Sequence, residues 1–115
     1  MATFSKVILS GSTSGKQIKV AATATAGTTI HTAHASAIDE VWLFAVNSSS
    51  SSAVKLTIEW GEAGAPEGNI EVTVPAESGY LMVVPGLPLT GSLVVKAFAA
   101  TANVVMINGY VNRIT

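Results

Sequence analysis

From Val54 to Trp60 the chain alternates without a break: Val54, Leu56, Ile58 and Trp60 against Lys55, Thr57 and Glu59. A β-strand sends successive side chains to opposite faces, so this period of two predicts a strand with one buried and one solvated face. Ile70 to Val74 repeats the pattern, with Ile70, Val72 and Val74 facing in and Glu71 and Thr73 facing out. Lys16 to Val20 follows it more weakly, with Ile18 and Val20 against Lys19. No stretch shows the 3.6-residue period of an amphipathic helix. The segment Ala21 to Ala26, AATATA, is rich in β-branched Thr and reads as strand or extended loop.

A second class of run is apolar on both faces. It comprises Val41 to Val46, Tyr80 to Val84, Leu93 to Val95 and Val104 to Ile107. Such strands call for cover on both sides: a second sheet on one, and on the other something more, which in a small domain can be another chain. Turn-forming clusters separate the runs at Gly11–Gly15, Asn47–Ser52, Gly61–Asn69, Glu77–Gly79, Pro85–Pro88, Thr90-Gly91 and Ala100–Asn103. Turn signals every 8 to 12 residues or so are those of a sandwich or barrel. The expectation is an all-β fold, a two-sheet antiparallel sandwich, jelly-roll-like, with about nine short strands.

The five consecutive serines Ser48 to Ser52 raise the question of a linker. Residues 1–47 and 53–115 are each near the lower limit for independent folding without disulfides or metal, and the chain has no cysteine. Serine hydroxyls satisfy local backbone groups, so the run reads as a mobile loop tip between two strands. Residues 1–115 are therefore expected to form a single domain.

Charged residues are 11% of the chain, against roughly 25% in ordinary soluble domains. Hydrophobic residues are 49%, which argues against disorder and for surface buried by other subunits. Neither a membrane span nor a secretory leader is expected, because the apolar runs are too short. Net charge is −1, and Lys6, Lys16, Lys19, Lys55, Lys96 and Arg113 are scattered, so no electrostatic footprint for nucleic acid is present.

Candidate chemistry is thin. His31 and His34 lie three apart, a spacing that puts strand side chains on opposite faces, and only Asp39 or Glu40 is at hand as a third metal ligand. The pair reads as loop or rim histidines, and no metal or cofactor is expected. Asp39 and Glu40 are adjacent, hence divergent in a strand, and read as a solvated strand entry. Glu59, Glu62, Glu67, Glu71 and Glu77 read as the solvent face. GSTSG, Gly11 to Gly15, has the G-x-x-x-G spacing but is not the G-x-S-x-G motif of a nucleophile elbow, and reads as a hairpin loop. With one Arg and two His, no catalytic residues are assigned and no enzyme is expected. Trp42, Phe44, Trp60, Tyr80, Phe98 and Tyr110 read as core fillers rather than as a sugar-binding platform.

Taken together, KVAATATAGTTIHTA, DEVWLFAVNSSSSSAVKLTIEWG and LVVKAFAATANVVMINGYVNRI resemble the small structural proteins of tailed bacteriophages, above all the head decoration, or cement, proteins. The similarity is one of style over the whole chain. It implies a β-sandwich that clips onto an assembled capsid through the major capsid protein, commonly as a homotrimer over a symmetry axis. It implies a virion protein assembled in the host cytoplasm, with no catalytic residue to carry over. Many decoration proteins grip the shell with a flexible N-terminal arm, whereas MATFSKVILSG reads here as a strand. The alternative is a tail- or fibre-associated virion protein with a carbohydrate- or receptor-binding role, which would expose Trp42 or Trp60.

Overall fold

The computed structural model describes residues 2–115 and is built of strands alone among them. Nine strands run in the order β1 (Phe4–Ile8), β2 (Ile18–Lys19), β3 (Thr28–Thr32), β4 (Ile38–Asn47), β5 (Val54–Trp60), β6 (Asn69–Val74), β7 (Leu81–Leu89), β8 (Val94–Ala99) and β9 (Val105–Ile114). They form two antiparallel sheets, β1-β9-β4-β7 with β2 also on β9, and β3-β8-β5-β6. β1 pairs with the end of β9 and β2 with its start, on the same edge and in the same direction. They act as one edge strand interrupted by residues 9–17. Counted so, eight strands interleave across the two layers in the double Greek-key order of a jelly roll.

The interruption fastens the two sheets together. Leu9 drops into the core, Gly11 N–H donates to the Ile30 carbonyl at 2.9 Å, and the Ser10 hydroxyl accepts from Thr32 N–H at 2.7 Å. Position 11 has to be glycine for this approach, because a Cβ there would sit 2.5 Å from the Thr29 carbonyl oxygen.

Between the sheets, Val41, Leu43 and Ala45 of β4 and Ile107 and Val111 of β9 meet Leu56 and Ile58 of β5 and Val95 and Ala97 of β8. All nine are fully buried. Each buried Leu or Ile contributes roughly 1.5–3 kcal/mol of transfer free energy. The parity of β5 is as its sequence implies: Val54, Leu56 and Ile58 are buried, Trp60 packs against the core, and Lys55 is exposed. The outer face is not solvated throughout, since Thr57 and Glu59 on it are buried. On β6, Val74 is buried, Ile70 and Val72 pack on the core, and Glu71 and Thr73 are exposed. AATATA is an irregular segment. GSTSG, read as a hairpin loop, lies instead in the interruption between β1 and β2, which run the same way along β9. Pro85–Pro88, read as a turn, falls inside β7, an edge strand that tolerates proline and takes a bulge at Gly86, where φ is +73°.

The serines connect β4 of one sheet to β5 of the other. Asn47 organises that loop: its amide donates to the Ser52 and Val74 carbonyls at 2.9 and 3.0 Å, and its Oδ1 accepts from Ser49 N–H.

Candidate interaction surface

Strand parity on β4 decides where the chemistry-bearing side chains go. Asp39, Val41, Leu43, Ala45 and Asn47 face the core, while Ile38, Glu40, Trp42, Phe44 and Val46 face out. The inward row is thus polar at both ends. Asp39 is fully buried, which corrects its reading as a solvated strand entry. His31, read as a loop or rim residue, is likewise fully buried in β3. The two meet across the sandwich at 2.8 Å.

Arg113 on β9 joins them, with Nε donating to Asp39 Oδ1 at 2.8 Å and Nη2 to Oδ2 at 3.0 Å. His34 N–H adds a fourth bond at 3.2 Å. Burial pushes the Asp39 carboxyl up, but the bonds from Arg113, His31 and His34 and the Arg113 charge outweigh it. They hold the carboxyl at about 2, below its ordinary 3.8. Asp39 in turn raises the Arg113 guanidinium above its usual value.

Ser10, His31 and Asp39 invite comparison with a nucleophile–base–orienter set, and the geometry is different. His31 Nδ1 accepts from the Ser10 backbone N–H at 3.0 Å, so the ring proton lies on Nε2 and is donated to Asp39. The Ser10 hydroxyl is engaged by Thr32 N–H instead. The lone pair a general base would use is already occupied, and so is the position a metal would take. His34 does other work: its Nδ1 accepts from Ser36 and Ala37 N–H at 3.0 and 2.9 Å, shaping the turn into β4. The cluster pins β3, β4, β9 and residue 10 together at one end of the core.

Glu59 also departs from its sequence reading. It points away from the core on β5 yet is buried, closed over by the chain at Thr25 and Gly27. The Thr25 hydroxyl and Gly27 N–H, the latter at 2.7 Å, donate to its two oxygens. Lys55 and Glu71 on the same outer face are solvated and paired at 3.0 Å.

The outer face of the β1-β9-β4-β7 sheet has the opposite character. Residues directly opposite in an antiparallel pair point the same way, so the register of β1, β9 and β4 lays out cross-strand rungs. Phe4, Ile114 and Ile38 form an apolar rung; Lys6, Asn112 and Glu40 a polar one; Ile8, Tyr110 and Trp42 a third. Asn108, Phe44 and Met82 make a fourth across β9, β4 and β7.

Trp42 stacks on Tyr110 with centroids 6.1 Å apart and planes 16° from parallel, and Phe44 meets Tyr80 edge-on. The indole of Trp42 lies against Gly86, where a Cβ would come within 2.6 Å of the ring and where φ is +73°. These aromatics were expected in the core. Trp42, Phe44 and Tyr110 instead occupy outward positions, and Tyr80 is 60% exposed at the approach to β7. Phe98 is half-buried at an outward position of β8. Only Trp60 of the six packs against the core.

Exposure on this face is high for apolar groups: Phe4 70%, Ile8 52%, Met82 52%, Ile38 45%. Its charges are few. Lys6 lies over the Tyr110 ring, 4.6 Å from the centroid. Glu40 accepts from the Trp42 indole N–H at 2.9 Å and from Asn112 at 3.1 Å, and these two donors hold its carboxyl below the usual range.

The chain matches no family model, no curated protein and no solved structure. The functional reading therefore rests on the surface itself. The sequence pattern marks β4 as apolar on both faces but gives Lys6 and Arg113 no role and puts Tyr110 in the core. The signal was strand parity: Arg113 shares the odd positions of buried Val105, Ile107 and Val111, and Tyr110 the even ones.

Proposed function

We propose that this chain is a non-catalytic structural protein of a tailed-bacteriophage virion, of the capsid-decoration type, which reinforces the shell by binding the major capsid protein and copies of itself. One observation carries the reading. The outer face of the β1-β9-β4-β7 sheet is a ladder of apolar and aromatic rungs, while the outer face of the other sheet bears Lys55, Glu71 and Thr73. An exposed apolar patch of this kind marks an interaction site. The jelly roll, a fold used by viral capsid and lectin domains, supports the reading by analogy. The test is sedimentation with expanded capsids. The chain is expected to pellet with them and a Met82→Glu variant to pellet less; a chain left wholly in the supernatant overturns the role.

A second reading has its own observation. The Trp42–Tyr110 stack lies beside Glu40 and Asn112, a pairing of aromatic faces with polar groups that suits a sugar ring. A tail- or fibre-associated receptor binder follows from it. A glycan-array signal lost on Trp42→Ala supports this role, and a blank array removes it.

A further inference from the structure

We propose that the outer face of the β1-β9-β4-β7 sheet pairs with the same face of a second copy of this chain, about a two-fold axis running along β9. The inference rests on that face being an assembly surface and not on the virion role. Its argument is the order of charges on the polar rung. Lys6 stands on β1, Asn112 on the central β9, and Glu40 on β4. Among the described residues neither Lys6 nor Glu40 has an ion-pair partner within the chain.

A two-fold axis parallel to β9, midway between the two sheets, carries β1 of one copy over β4 of the other. Lys6 then faces the partner's Glu40, and Glu40 the partner's Lys6. Position along the strands is kept, so each rung meets itself. Phe4 covers the partner's Ile38, and Ile8 covers the partner's Trp42. The neutral Asn112 falls on the axis, where a charge would meet its own copy. Displacing the axis sideways by one strand destroys the match.

Size agrees. Three strands at ~4.8 Å spacing and the ten residues of β9 at ~3.3 Å each give a face of about 14 by 33 Å. Two copies bury on the order of 1,000 Å² over it, where specific interfaces begin. Aligned sheets packed ~10 Å apart leave Lys and Glu side chains able to span the gap. This geometry is two-fold, whereas the phage resemblance implies a trimer, and the mass in solution separates them.

The experiment is light scattering on the full chain across a dilution series, with four variants. Wild type is expected at twice the chain mass. Lys6→Glu and Glu40→Lys are each expected to raise the dimer dissociation constant at least about tenfold. The double charge swap is expected to return it to within about threefold of wild type. Phe4→Glu, at a site 70% exposed, is expected to abolish the dimer while leaving the circular dichroism spectrum of the chain unchanged. A wild-type mass of one or three chains overturns the pairing, as does a dimer indifferent to the charge variants. A monomer that still pellets with capsids removes the pairing alone; a charge-dependent dimer that ignores capsids removes the virion role alone.

Discussion

Asp39 and Arg113 stand 74 residues apart and meet in a two-toothed ion pair at 2.8 and 3.0 Å, with Asp39 wholly buried. β4 and β9 run side by side, and Asp39 and Arg113 are direct cross-strand partners on the inward face. His31 reaches the same carboxylate from the opposite sheet. A salt bridge of this kind contributes less by its Coulomb energy than by the penalty for breaking it.

Removing the carboxylate should therefore be costly. Asp39→Ala leaves the Arg113 guanidinium and the His31 ring N–H without their acceptor, and is expected to destabilise the domain by about 3–5 kcal/mol. Urea unfolding measures it. A loss below about 1 kcal/mol would show that the cluster is not pinning the two sheets.

The same carboxylate sets an acid limit. Its folded-state value of about 2 lies below the ordinary 3.8 that it regains on unfolding. The stabilisation is fully present above about pH 4 and is lost as the pH falls through about 2, where the folded form takes up its proton. The difference is worth on the order of 2 kcal/mol. Unfolding free energies at pH 5 and pH 2 for wild type and Asp39→Asn isolate it. The variant should lack this share of the pH dependence.

β5 supplies a test of facing. Leu56→Asp puts an unpaired charge between the sheets and is expected to unfold the chain. Lys55→Asp, one position along, breaks only an exposed pair with Glu71 and is expected to cost less than about 1 kcal/mol. Similar melting temperatures for the two variants would contradict the register.

The serine loop separates length from chemistry. Deleting Ser50 and Ser51 shortens a surface connection and should cost little, since closure depends weakly on loop length. Asn47→Ala strips the buried Val74 carbonyl of its side-chain donor and frees the loop from β6. Its expected cost is about 1–3 kcal/mol. Thermal melts of the two variants should rank in that order.

The all-β class, most of the strand positions and the facing of β5 were legible because they follow from local periodicity; β3 and the continuation of β7 through Pro85–Pro88 were not. The two-sided apolar character of β4 was legible too. The pairing of Ser10, His31, Asp39 and Arg113 was not, since their separations of 8 to 74 residues mean nothing until the strands are ordered.

Alternation, read along one chain, tells which side chains share a face. It does not tell which face will be covered. The sequence by itself determined the first for this protein; the tertiary structure alone decided the second, placing Trp42 and Tyr110 outside and Asp39 inside, and closing Thr25 and Gly27 over Glu59. The reason is physical: burial depends on what crosses over a strand, and that is fixed by contacts distant in sequence.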